Sequence, residues 1–374
     1  MDKNTNDNNA VKLPSGEKLV LSSSPHLSSG SSLRKIMGGV LLALLPQMIA
    51  SIWLFGFRAL FVVVYTALCC VAAEALWCKI AGKDIWRNIS DCSAILTGVL
   101  LAMCLPVSVP LYIPPIGAFL AIWLAKQIYG GIGNNPFNPA LVARVGLLIA
   151  LPAAMTAWTP SRGMKSADYP EIERFYTAET AAIIKNGGNI DAVSCATPLS
   201  VVGTTGKILG KGEDARKNFS QVASPELMKR YLFGDRAGCI GETCVPALLA
   251  GFVILVILNL INWSVPVLFV ATVAVLTAAI NFFMPGVTPG ALFHVCNGGL
   301  LLGAIFMATD MVTSPITGRG CVFFAIGCGV LTTVIRVWGN YPEGVSFSIL
   351  FMNSLVPLID RWFVKRPFGY IPKR

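Results

Sequence analysis

Charge is what this chain has least of. Of its 374 residues only 13% are Asp, Glu, Lys or Arg, while 55% are hydrophobic. A soluble domain carries about 25% charged residues, so a chain at half that share is not built to sit in water. Histidine is scarce as well: His26 lies in a polar tail and His294 in an apolar run. Two isolated imidazoles supply neither a zinc site nor a nucleophile–base pair, which excludes hydrolases and metallohydrolases. No CxxC pair occurs among the eleven cysteines. Cys69, Cys70, Cys78, Cys104, Cys296, Cys321 and Cys328 lie inside apolar runs, where cysteine acts as a small hydrophobe. No metal site is expected, and a Cys239–Cys244 disulfide has only spacing in its favour. Residues 1–35 lack the apolar core of a cleavable signal, so the apolar block from Met37 is expected to stay in the membrane. The GGIG run at Gly130 follows an apolar span, not a strand, so it is no dinucleotide fingerprint.

What the chain does have is apolar length. Runs approaching the ~20 residues that span a bilayer lie near 37–56, 59–78, 93–109, 112–129, 137–157, 243–261, 265–284, 290–309, 321–338 and 345–363. The fold class expected is an all-α polytopic membrane protein of about ten transmembrane helices. Residues 158–238 form a polar insert too long for a simple connector. The chain then divides into an N-terminal tail (1–36), a first half (37–157), the insert (158–238), a second half (239–363) and a C-terminal tail (364–374). The formal charge of +10 is read as cytoplasmic loop bias and not as a nucleic-acid surface. Lys3, Lys12, Lys18, Arg34 and Lys35 precede the first span, and Arg361, Lys365, Arg366, Lys373 and Arg374 close the last. Lys79, Lys83, Arg87 and Arg319 fall on the same side, against Arg58 and Arg336 opposite. Both tails are thus placed in the cytoplasm, and five crossings put the insert on the outer face.

The halves echo each other. TGVLLAMCLPVSVP, ending at Pro110, aligns without a gap on LGAIFMATDMVTSP, ending at Pro315. Gly98 falls on Gly303, 205 residues on, and the same offset carries Asn135 onto Asn340. Two halves with an odd number of spans have opposite orientations, which makes an inverted repeat, and interrupted segments in such folds mark midplane sites. Asn135 and Asn138, in YGGIGNNPFNPALVARVG, either line a half-helix end facing a ligand or ion path or sit in an interfacial loop. Arg144, Glu74 and Asp310 fall within or at the ends of spans, where charge is costly and needs a pathway or a partner. Glu242, Lys126 and Asp360 read as span-end charges that snorkel to water or pair with a neighbouring subunit.

The longest polar stretch holds DAVSCATPLS, Asp191 to Ser200. Ser194, Cys195 and Ala196 are small, and Pro198 keeps Thr197 out of the helical region, so its hydroxyl is open to esterification by phosphate. Alone, S-x-A-T-P is better explained by a plain turn. Other stretches add to it: SSPH from Ser23, RKIM from Arg34, AKQIYGGIGNNPFNPA, ATDMVTSPITGRG, and the closing GNYPEGVSFSILFMNSLVPLID. With these, nearly the whole chain resembles the D subunit of the Rnf electron-transport complex, and less closely the B subunit of the sodium-pumping NADH:quinone reductase. The latter typically carries a longer N-terminal extension.

The resemblance implies a flavoprotein of an inner membrane. A flavin transferase would use FAD to place FMN on the threonine of S-x-A-T, here Thr197 within Ser194, Ala196 and Pro198, with Cys195 where glycine is usual. It also suggests a second, non-covalent flavin such as riboflavin, and a urea-transporter-like fold. The implied partners are Rnf subunits A, B, C, E and G, the bilayer, and Na⁺ or H⁺ moved by electron flow between ferredoxin and NAD. Lys207 and Lys211 are candidates to offset the flavin's phosphate charge. The membrane pattern by itself equally fits a small-solute permease or a scaffold for redox partners.

Overall fold

The computed structural model describes residues 32–169, 172–187, 195–208, 219–339 and 343–364, with backbone alone for 204–208. Every regular element among them is a helix, as expected where lipid forces backbone groups to pair within their own segment. α1 (Leu33–Phe55) and α2 (Phe57–Ile80) meet at Gly56, whose φ of 85° suits glycine. α3 (Ile85–Ile89) and α4 (Ser93–Met103) follow, then α5 (Ile113–Ala118), which continues as a π-helical stretch, Phe119–Gln127. α6 (Pro139–Ala150) and α7 (Pro152–Met155) close this part.

Among the described residues of the polar insert are α8 (Ala178–Lys185), α9 (Pro198–Ile208) and α10 (Pro225–Phe233). Beyond it come α11 (Val245–Ile257), α12 (Ser264–Phe283) and α13 (Ala291–Cys296). α14 (Leu300–Leu302) runs into a second π-helical stretch, Gly303–Met307, before α15 (Gly318–Trp338) and α16 (Val345–Trp362).

Four helices, α1, α2, α12 and α15, are long and apolar enough to cross a bilayer alone. They leave Trp53, Phe61, Leu68 and Val275 exposed, a surface that suits lipid and not water. The other expected spans are shorter or interrupted. α4 stops at Met103, ahead of Pro106 and Pro110. The span expected at 290–309 breaks at Asn297–Gly299, where Gly298 and Gly299 have φ of 74° and 61°.

Elements on the two sides of the insert recur in order. α3 and α13 start at residues 85 and 291, and α6 and α16 at 139 and 345, both 206 apart. α2 packs on α4 and α5, α12 on α13 and α15, while α1 meets α11 and α6 meets α16.

Candidate functional site

Thr197 is held by three local devices. The Cys195 N–H donates to the Trp158 carbonyl at 3.0 Å and the Ala196 N–H to the Phe175 carbonyl at 3.1 Å, which pins the approach in an extended form. Thr197 then caps α9, its Oγ1 accepting the Ser200 N–H at 3.1 Å. Pro198 takes the first helical position, where no amide is missed. The residue is 7% exposed.

Its neighbour is a cavity of about 570 Å³. Trp158, Phe175, Tyr176 and Phe347 give its lining aromatic character, and Cys195 to Thr197 also line it. Arg144 reaches the cavity from the second turn of α6 and ion-pairs with Glu343, just ahead of α16. Burial pushes the Cys195 thiol up to about 12 and the Tyr176 phenol above its ordinary range. At the insert's surface, the hydrogen bond from Lys185 holds the Glu173 carboxylate below its usual value.

Behind Thr197 lies the break between α13 and α14. A helix end leaves carbonyls without partners, and two arginines supply them. Arg236 donates to the Cys296 carbonyl and to Asn297 Oδ1, and Arg336 to the carbonyls of His294, Asn297 and Gly298. A Cβ on Gly298 would lie 2.7 Å from Leu199 Cδ2 and 2.9 Å from Arg336 Nη2. Glycine there lets α9 seat against the break and brings Thr197 to it.

Cys239, Glu242 and Glu343 offer ligand atoms within 4.8 Å of one another. Glu343 pairs with Arg144, Glu242 Oε1 accepts the Cys239 N–H at 3.0 Å, and Glu242 Oε2 has no hydrogen-bond partner among the described residues. Arg236 donates to the Glu242 carbonyl.

A second cavity, about 230 Å³, brings together Asn135, Asn138, Asp310 and Lys126. Asn138 caps α6, accepting from the Ala140 and Leu141 amides at 3.1 and 3.4 Å. Asn135 Nδ2 donates to the Phe137 carbonyl at 3.1 Å, and Asp310 accepts from Thr313 Oγ1 at 3.2 Å. Glu74 lies beyond, 2.5 Å from Lys126, which also donates to Ser93 at 2.7 Å. Gln127 donates to the same Glu74 oxygen at 2.8 Å.

Most of the expected site residues fall into two groups, with Arg144 joining Ala196 and Thr197 while the asparagines and Asp310 line the other cavity. Lys126 and Glu242 do not snorkel; both are buried. Lys126 sits in the π-helical stretch packed on α2, so its side chain turns inward to Glu74. Asp360 does sit at an end, its Oδ1 accepting the Ile316 N–H at 3.1 Å. The two cysteines considered for a disulfide are free. Ser194, Lys211 and Asn340 lie outside the described residues, and of Lys207 only the backbone is described.

A family profile described as the NQR2, RnfD, RnfE family matches residues 20–369. The chain belongs to this family. Among its relatives, the D subunit of the proton-translocating ferredoxin:NAD(+) oxidoreductase complex of Clostridium ljungdahlii is 40% identical over 93% of this chain and 96% of that protein. The D subunit of the ion-translocating oxidoreductase complex of Stutzerimonas stutzeri is 42% identical, covering 91% and 92%. Its counterpart in the Na(+)-translocating ferredoxin:NAD(+) oxidoreductase complex of Acetobacterium woodii is 38% identical, covering 94% and 95%.

Proposed function

We propose that this chain is the membrane electron-transfer D subunit of an ion-translocating ferredoxin:NAD oxidoreductase, and that Thr197 carries FMN through a phosphoester. The observation that carries the reading is the threonine beside an aromatic-walled cavity of about 570 Å³ that also holds an arginine. Trp158, Tyr176 and Phe347 offer flat apolar surface for a ring, and Arg144 a charge for phosphate. The residues fit the group. When bound, the flavin supplies the one- and two-electron chemistry; Thr197 tethers it. Installation replaces AMP on the FMN phosphorus of FAD by Thr197 Oγ1, and the hydroxyl proton is lost.

The topology proposed is ten crossings in two inverted five-helix halves of urea-transporter type, with tails in the cytoplasm and residues 158–238 outside. The recurrence of elements at an offset near 205 supports it. Subunits A, B, C, E and G are the proposed partners, with a flavin transferase during maturation, in a bacterial inner membrane. The second cavity is the proposed seat of the non-covalent flavin, and Glu74 and Asp310 are proposed for the Na⁺ or H⁺ path. The permease alternative is weaker, because Arg236 and Arg336 occupy the helix break where a solute would bind.

The test is a denaturing gel of the chain co-produced with a flavin transferase. A fluorescent band that disappears in Thr197→Ala supports the tether, whereas a dark parent band overturns it.

A further inference from the structure

We infer that Arg144 seats the phosphodiester of the flavin carried on Thr197, and that Glu343, its ion-pair partner, competes with the phosphate for the guanidinium. This rests on the flavin reading above and names the residue that recognises the phosphate. Arg144, Arg236 and Arg336 are buried around Thr197 and the helix break behind it. Two carboxylates answer them: Glu242, whose charge acts on all three, and Glu343, paired with Arg144. Among the described residues the group is one negative charge short. Buried charge without compensation is unfavourable, and a phosphodiester monoanion brings the single charge required.

The place for it is specific. Thr197 shares a small void with Arg236, Glu242 and Glu343, and the large cavity with Arg144 and Glu343. Arg236 and Arg336 are committed to the carbonyls that end α13. Arg144 reaches the cavity beside Glu343 and also bonds the buried Cys104 and Cys239 sulfurs, and a guanidinium has five N–H donors to share between these and a second anion. Arg174, at the cavity rim, donates to Gln221. The first turn of α9 adds amides and a positive dipole end on the same side. Arginine is the side chain suited to two-point recognition of a phosphate.

The experiment uses the full-length chain co-produced with a flavin transferase. Mass spectrometry of the Thr197 peptide gives the flavinylated share, and iodide quenching of the folded, detergent-solubilised protein reports how firmly the flavin is held. Arg144→Gln is expected to shift the ratio of seated to released flavin roughly tenfold toward release. That appears as a higher quenching constant at equal flavinylation, or as lower flavinylation. Arg144→Lys is expected to lie between Gln and parent. Glu343→Gln keeps the guanidinium and removes its competitor, so quenching stays at or below the parent value; it serves also if Arg144→Gln does not fold. Parent-like occupancy and quenching in Arg144→Gln, or looser flavin in Glu343→Gln, overturns the inference while leaving the tether intact. A bare Thr197 in the parent protein overturns the flavin reading itself.

Discussion

At the scale of single residues, Thr197 on the proposed chemistry combines two roles in one oxygen. Its Oγ1 caps α9, and a cap removed costs about 1 kcal/mol. Thr197→Ser keeps both hydroxyl and cap, so its insert should resist limited proteolysis like the parent, while Thr197→Ala is cut faster. The Glu74–Lys126 pair is a different case, buried on both sides. Glu74→Gln leaves the Lys126 charge without its counter-ion and is expected to destabilise the protein by about 3–5 kcal/mol. Thermal unfolding in detergent measures this, and Glu74→Leu with Lys126→Met should lose less than either single change. Cys195 responds to pH. Its thiol pKa rises from 9.0 to about 12, so the unfolded chain gives up a proton that the folded segment keeps. Stability from this group is complete below pH 9 and declines as pH rises toward 12. Iodoacetamide at pH 8 should therefore spare Cys195 in folded protein and modify it in urea.

Among elements, the broken span is the informative one. Gly298 has a φ of 74° and two close neighbours, so Gly298→Ala is expected to cost about 1–3 kcal/mol and to push α9 away from the break. Faster proteolysis of the insert, with α12 and α15 still protected, is the expected pattern. The same region shows what the sequence made legible. Apolar runs located α1, α2, α12 and α15, because length and hydropathy are local properties. The segment around Thr197 stood out only through the family resemblance, since its small residues and proline by themselves fit a plain turn. The meeting of Arg144 with Thr197 and Glu343 was not legible, because partners 53 and 199 residues from Arg144 are joined only by packing. Lys126 was misplaced through its helix type: a π-helical stretch turns side chains out of α-helical register.

For the whole molecule, α6 links the two cavities. Asn138 at its start lines the smaller one and Arg144 in its second turn the larger, roughly 9 Å apart along the axis. On the proposed topology they open toward opposite faces. A membrane-impermeant maleimide on intact cells should label Ile183→Cys, exposed in the insert, and spare Ile80→Cys, exposed at the end of α2. Equal labelling of both would contradict that arrangement.

The burial of Thr197 also bears on timing. Thr197 is 7% exposed, its hydroxyl is engaged by the Ser200 N–H and its segment is pinned through Cys195 and Ala196. A second protein's active centre therefore reaches it with FAD only when the segment is undocked. On the proposed chemistry, modification belongs to the interval between translocation of the loop and its docking. Chain matured without the transferase would be a dead end: adding enzyme and FAD to it afterwards leaves it colourless, until mild denaturant reopens the loop.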